Sequence, residues 1–274
     1  MVKALNVTYL NENVLKLIKP RKQDGNKGDF GSLTTLCGSV NMTGAAALSS
    51  LGALRSGLGL LRFAGNEDTV KRMQQIIFEP VFIPLEKIWE YPCDAFLCGC
   101  GIGRDYDRFL PQVLDNCKVT AVLDADCINF LAKNIDILER AKYKKILTPH
   151  PGEMARLCST TVENIQADRI GHAKAFAKKY ECTLVLKGYQ TVIAHPDGSV
   201  FVNTSGSDAL STGGSGDVLA GVIASLTAQG YSEKEATAIG VYVHGLAAER
   251  LSEKYGKSGV IPSDLPCVIG SILG

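Results

Sequence analysis

Residues 210–221 read LSTGGSGDVLAG. Gly213, Gly214, Ser215 and Gly216 can present consecutive backbone N–H groups to an anion where a helix begins, and the helix end adds roughly half a positive charge. A helix cap needs only one Ser or Asp, so three glycines in four residues ask for something closer than a plain start. Asp217 follows at once, although a carboxylate repels phosphate. The lysine of a GxxxxGK[ST] phosphate loop is missing throughout the chain. Phosphoryl transfer to a hydroxyl reconciles these facts. The backbone amides would steady charge on the transferring group, and Asp217 would accept the hydroxyl proton as general base.

A second loaded stretch is Thr148-Pro-His-Pro-Gly-Glu153. His150 can hydrogen-bond a polar substrate, and Glu153 can hold water on Mg²⁺. The duller alternative is a proline-stiffened turn with an acid in the first turn of a helix. Lys187-Gly188-Tyr189-Gln190-Thr191 puts a lysine at a strand end before a glycine, which suits phosphate or nucleotide contact; a solvated hairpin lysine is the ordinary alternative. Gly99-Cys-Gly101-Ile-Gly103-Arg104 fails as a dinucleotide fingerprint because Arg104 stands where the third glycine belongs. Its glycines still allow close backbone approach to a ligand. Gly38–Ala46 reads as a loop running into a small-residue helix. His172 on a charged helix and His195 in a turn are given no role, and His244 in an apolar helix reads as a satisfied core histidine. The nine cysteines fall singly without CxxC pairs, as reduced, buried thiols do.

These groups need elements to aim them. Strand-like runs are expected at Leu33–Cys37, Leu60–Phe63, Ala95–Gly99, Thr120–Asp124, Lys145–Thr148, Leu184–Lys187, Thr191–Ala194 and Val200–Asn203. Several are continuously apolar, as in strands covered on both faces. Helical spacing marks Gly44–Ser56, Tyr106–Asn116 and Val162–Tyr180. After Asn203 the pattern turns to helices at Gly214–Gln229 and Glu233–Glu253, with a short one after Pro262. The alternation predicts an α/β fold with a mostly parallel central sheet flanked by helices, a late hairpin turning at residues 195–199, and a C-terminal helical layer. Ligands of such sheets bind outside the carboxyl ends of the strands, where Gly99–Gly103, Asp124–Asp126, Thr148–Glu153 and Lys187 gather. No repeat or linker interrupts the 274 residues, so residues 1–274 are expected to form a single domain. With 46% hydrophobic and 21% charged residues and a net charge of +1, the chain has no electrostatic footprint for nucleic acid. No apolar run reaches a membrane span and the N-terminal stretch resembles no leader, so a cytoplasmic protein is expected.

Taken together, KGDFG (27–31), the Gly44-Ala45-Ala46 helix start, LDAD (123–126), LTPHPGEMARL (147–157), LKGYQTVIAHPDG (186–198) and TGGSGDVLAG (212–221) resemble the NAD(P)H-hydrate dehydratase family. The resemblance runs in motif order from about residue 25 to the C-terminus. It implies the ribokinase-like three-layer fold and a stand-alone dehydratase. Such an enzyme repairs NADH and NADPH hydrated at C6 (NADHX and NADPHX), using ADP, or ATP in eukaryotes. It further implies Asp217 as base, Gly213–Gly216 as anion hole, and Lys187 to Thr191 with Asn203 and Gly216 at the nucleotide. Gly44, Ala45, Gly101, Gly103, His150 and Asp217 would then line the hydrate site, with Mg²⁺ bridging the phosphates and Glu153 in its outer shell. A homotetramer is implied as well. Two departures stand out: residues 206–214 read GSDALSTGG where relatives read close to GNPGMATGG, and Cys100 replaces a common proline. The rivals are a kinase of the same fold acting on a vitamin-precursor alcohol, which would stop at the phosphate ester, and a nucleotide sensor without turnover. Asp217 argues against the sensor, since a carboxylate beside phosphate weakens binding unless it does chemistry.

Overall fold

The computed structural model describes residues 7–274; residues 1–6, which open the stretch compared above with leader sequences and the expected 1–274 domain, lie outside the described residues. The strands are β1 (Val7–Tyr9), β2 (Ser32–Leu36), β3 (Leu60–Gly65), β4 (Val81–Pro84), β5 (Ala95–Cys98), β6 (Thr120–Leu123), β7 (Lys145–Leu147), β8 (Thr183–Leu186), β9 (Val192–Ala194) and β10 (Val200–Val202). They form one sheet in the order β1-β10-β9-β8-β7-β6-β5-β2-β3-β4. Only β9 runs against the rest, being antiparallel to both β8 and β10. The expected parallel sheet with a late hairpin is therefore present, and two expected strands gained unforeseen neighbours. Strands β1 and β4 sit at the two edges, are three and four residues long and half exposed. β1 carries no apolar run long enough to signal itself, and the run of β4, Val81–Ile83, is closed on both sides by Pro80 and Pro84.

Helices cover both faces. On one face lie α1 (Thr43–Arg55), α9 (Ser215–Ala228), α10 (Glu233–Tyr255) and α11 (Leu265–Leu273), packed on Leu33, Leu97, Val122, Ile146 and Val185. Here too is α2 (Glu67–Met73), through Met73. The other face buries Phe96, Cys98, Leu123, Leu147 and Leu186 beneath α3 (Leu110–Asp115), α4 (Ala125–Leu131), α5 (Asp136–Arg140), α6 (Pro151–Leu157), α7 (Val162–Ala167) and α8 (Arg169–Lys179). Neighbouring strand residues such as Phe96 and Leu97 point to opposite cores, as a pleated strand with two covered faces requires. Two expectations need correcting. The helix expected over Val162–Tyr180 is two helices, broken at Asp168, whose non-helical backbone (φ −145°, ψ 70°) lets its carboxylate accept the Gly171 N–H at 2.8 Å and start α8 afresh. The helix expected from Tyr106 begins only at Leu110.

Helices α1 and α9 make the tightest helix contact, through glycine on each side. A Cβ on Gly52 would collide with the Val218 carbonyl, and one on Gly221 with the Ser49 carbonyl. No other residue type lets the two backbones lie this close.

At the amino-terminal end of the sheet sits Lys145, which is buried. Its Nζ donates to the carbonyls of Ala141 (3.0 Å) and Leu138 (3.4 Å) at the end of α5, a helix cap with no acid attached. Nearby, His195 is 1% exposed rather than lying on a surface turn as the sequence suggested. Its Nδ1 meets Thr183 Oγ1 at 3.1 Å, while its Nε2 has no partner among the described residues.

Candidate active site

The carboxyl ends of four adjacent strands deliver the site. Backbone bonds stitch them together: Asp124 N–H to the Cys98 carbonyl, Thr148 N–H to Leu123, and Lys187 N–H to Pro149. Asp124, the residue after β6, is 1% exposed. Its Oδ1 accepts from Thr148 Oγ1 (2.6 Å) and from Lys187 Nζ (2.7 Å), and its Oδ2 accepts from the Cys100 thiol (3.5 Å). Burial works against the Lys187 charge, but Asp124 and Glu153 outweigh it and hold its pKa above the ordinary lysine value. Arg169, at the start of α8, donates to the Leu186 and Lys187 carbonyls (3.0 and 3.3 Å), so it props the strand end that carries Lys187.

Helix α9 brings the glycine-rich start to the same place. Gly214 caps it in the left-handed region (φ 105°), where a side chain would be strained and would strike Leu48. Asp217 sits in the first turn. Oxygens of Asp217 and Asp124 and the Cys100 sulfur all lie within 4.8 Å of one another. Burial, then the Asp124 charge, pushes the Asp217 carboxyl up to about 7, against the pull of Lys187 and the Cys100 thiol. A carboxylate with such a pKa is a competent base near neutrality. Lys187 Nζ lies beside Gly216, within 3.3 Å of where a Cβ would stand, so lysine and helix start face a common anion position.

His150 and Glu153 are bound into the start of α6. His150 Nδ1 accepts the N–H groups of Gly152 (3.0 Å) and Glu153 (3.4 Å), while Glu153 Oε2 accepts the His150 N–H at 2.8 Å. This is the capping arrangement foreseen as the duller alternative. It nonetheless fixes the ring so that Nε2 carries the hydrogen and is a donor. Burial, then the Lys187 charge, lowers the His150 pKa, keeping the ring neutral. Burial pushes Glu153 up to about 7.

A cavity of about 640 Å³ opens beside this cluster. Lys187, Gly188, Tyr189, Gln190, Thr191, Asn203, Ser215 and Gly216 all line it, which brings together the residues expected at a nucleotide. Loop 204–208, Val241, His244, Gly245 and Lys257 also line it, together with Leu210, Ser211 and Leu219. Gly213 stands exposed at the same helix start. On the other side of Asp217, Gly101 packs so closely on Ala45 that a Cβ would come within 2.7 Å of the Ala45 methyl. The Gly103 N–H is held by Asp126 Oδ2 at 2.9 Å, and Gly44 is exposed at the start of α1. Asp124, Thr148 and Arg169 were missed as individual contributors. Asp124 had a signal, since it ends the apolar run TAVLD at the crowded rim. The cysteines also need revision: Cys267 is exposed, Cys93 and Cys158 are half-buried, and Cys100 touches the central carboxylate instead of acting only as a small hydrophobe.

The topology and this rim define a ribokinase-like α/β protein, and a ribokinase-like superfamily structure from Enterococcus faecalis V583 superposes with a TM-score of 0.89 at 26% identity, covering 100% of this chain and 97% of that one. The family model described as NAD(P)H-hydrate dehydratase matches residues 33–270, and the chain belongs to that family. An ADP-dependent (S)-NAD(P)H-hydrate dehydratase of Neisseria meningitidis serogroup B is 38% identical over 88% of this chain and 83% of its own length. The bifunctional NAD(P)H-hydrate repair enzyme Nnr of Moorella thermoacetica is 36% identical over 89% of this chain, which spans 49% of that longer relative. The crystal structure of the ADP/ATP-dependent NAD(P)H-hydrate dehydratase from Bacillus subtilis, co-crystallised with ATP/Mg²⁺, has a TM-score of 0.88 and 30% identity, covering 98% of each chain.

Proposed function

We propose that this protein is an ADP-dependent (S)-NAD(P)H-hydrate dehydratase, converting NADHX and NADPHX to NADH and NADPH while ADP becomes AMP and phosphate. What carries the reading is the position of Asp217: an ionisable carboxylate between the Lys187–Gly216 anion position on the nucleotide side and the Cys100–Gly101 turn on the other. In this reading Asp217 removes the proton of the C6 hydroxyl as its oxygen attacks the terminal phosphoryl group of ADP. The P–O bond to AMP breaks, and the N–H groups of Gly213 to Gly216 with Lys187 hold the charge that develops. Hydroxide leaves poorly, but phosphate leaves well. Departure of the C6 phosphate and loss of the C5 proton then form the C5=C6 bond and restore the dihydronicotinamide. Lys187 to Thr191, Asn203 and Gly216 hold the nucleotide; Gly44, Ala45, Gly101, Gly103 and the His150 Nε2–H hold the hydrate.

The carboxylates fit Mg²⁺, since oxygens of Asp124 and Asp217 lie within 4.8 Å of one another, with the Cys100 sulfur, and Glu153 stands close enough to Asp124 to feel its charge. Glu153, through water, would hold the ion, which when bound supplies charge neutralisation to the phosphates. We place the protein in the cytoplasm as a homotetramer whose residues 1–274 form one domain. Among the described residues no helix is long and apolar enough to cross a membrane. The test is absorbance at 340 nm after adding the protein to hydrated NADH with Mg²⁺ and either ADP or ATP. Recovery of the band with ADP preferred supports the reading. No recovery with either nucleotide, from folded protein, would turn the assignment to the alcohol kinase.

A further inference from the structure

The nucleotide cavity contains a histidine that the glycine motif does not explain. His244 projects from the middle of α10, is 5% exposed, and lines the cavity between the helix start that carries Ser215 and Gly216 and the loop at Gly206. Its Nε2 lies 3.0 Å from the Ser215 carbonyl oxygen. A carbonyl only accepts, so Nε2 must carry the hydrogen. Burial keeps the ring from taking a second proton, with its pKa pulled down to about 4. The tautomer is therefore fixed, and Nδ1 is left as a lone-pair acceptor with no partner among the described residues. Although the residue is only 5% exposed, Nδ1 is not sealed in the core but opens onto the cavity, where water or a ligand can donate to it. A ligand that displaces water from this position without offering a donor would leave the acceptor unpaired, so the site favours a ligand donor there.

We propose that His244 Nδ1 reads a hydrogen-bond donor of the nucleoside, either a ribose hydroxyl or the exocyclic amine of adenine, and that through Nε2 it ties this recognition to the first turn of α9. The proposal rests on the nucleotide reading of the cavity. It gives the middle of α10 a part in selecting the nucleotide, whereas the phosphate contacts of α9 are common to every nucleoside diphosphate.

Two substitutions separate the ring nitrogens. His244→Gln keeps an amide donor near the Nε2 position and removes the acceptor; His244→Asn keeps an acceptor near the Nδ1 position and gives up the reach to Ser215. Binding is measured by calorimetry on the full chain, with ADP, 2′-deoxy-ADP, 3′-deoxy-ADP and the diphosphate of purine riboside, which lacks the amine. His244→Gln should weaken ADP binding about tenfold, the scale of one hydrogen bond, while His244→Asn should retain discrimination among the four ligands. One analogue should lose a similar factor on the native chain and lose nothing further on His244→Gln, which names the donor read. Native affinity for ADP in a folded His244→Gln variant, or analogue penalties unchanged by it, would overturn the proposal while leaving the nucleotide site standing. Failure of the native chain to bind ADP at all would remove the nucleotide reading, and this inference with it.

Discussion

A half-buried lysine and a buried one mark the two ends of the sheet, and their surroundings differ in kind. Lys187, at the carboxyl end of β8, pairs with a fully buried aspartate 2.7 Å away and stands beside a helix amino terminus. Lys145, at the amino end of β7, has only main-chain carbonyls at a helix carboxyl terminus as partners among the described residues, and burial lowers its pKa. The histidines repeat the contrast. His244 is anchored through one nitrogen and lines a 640 Å³ cavity with the other free, whereas His195 borders a smaller recess of about 260 Å³ among lysines and acids that already pair with one another. Burial of a polar group therefore does not itself mark a site. Chemistry is indicated where opposed charges are held together with room beside them for a reactant.

The largest expected effect lies at the charged end. Asp217→Asn should lower kcat by roughly 10²–10⁴ with ADP affinity nearly kept, the scale for a general base; single-turnover rates and calorimetry read the two quantities, and an undiminished rate removes Asp217 from the reaction. The same variant should be more stable than the native chain at pH 8 in urea unfolding, by a few kcal/mol at the order-of-magnitude level, because it deletes a carboxylate whose ionised form is disfavoured by the fold. Next comes the ion pair. Asp124→Asn strips the half-buried Lys187 of its ion-pair partner and should cost about 1–3 kcal/mol, while Lys145→Met at the other end should cost about 1 kcal/mol or less and leave kcat alone. Equal losses at the two lysine sites would erase the distinction drawn here.

The pH dependence sharpens the comparison further. Asp217 works as a base only when ionised, so kcat/KM should fall about tenfold per unit as pH drops below about 7. In stability the sign is reversed. The raised Asp217 pKa means the folded state holds this proton more tightly, a contribution present in acid and lost as pH rises through about 7. His195, pulled down to about 4, runs the other way: its contribution is present above about 6.5 and fades as pH falls toward about 4. Unfolding free energies of Asp217→Asn and His195→Gln across pH 4–8 should each flatten one of these slopes. The smallest effect is expected for His195→Gln at pH 7.5, within about 1 kcal/mol and without change in turnover.

The parallel sheet was legible because its central strands are unbroken apolar runs ending in Gly, Asp, Pro or Lys. That Lys187–Thr191 and the glycine-rich start of α9 would share one cavity was legible because glycine spacing and a strand-end lysine are local signals. The edge strands β1 and β4 were not: β1 is only three residues long and half exposed, and the short apolar run of β4 stands between Pro80 and Pro84, which reads as a turn or a sheet edge. Asp168 was hidden inside an otherwise regular helical pattern, and only its cap to Gly171 reveals the break. Asp124 and Arg169 act through contacts 63 and 17 residues away in sequence, and no spacing rule encodes such pairs. His195 was misread because a Pro-Asp-Gly turn signals exposure for itself but not for the residue entering it.

The glycine contact between α1 and α9 has a consequence for anyone altering this protein. Gly52 is nine residues along α1 from Thr43, which at 1.5 Å per residue places the contact roughly 13 Å from the helix start. Asp217 lies in the first turn of α9 and Ala45 in the first turn of α1 packs on Gly101, so the spacing of the two helices acts as a ruler whose zero mark lies outside the site. A library of variants that spares every residue around the cavity, yet admits alanine at Gly52 or Gly221, would shift the starts of the two helices relative to one another without touching the cavity wall.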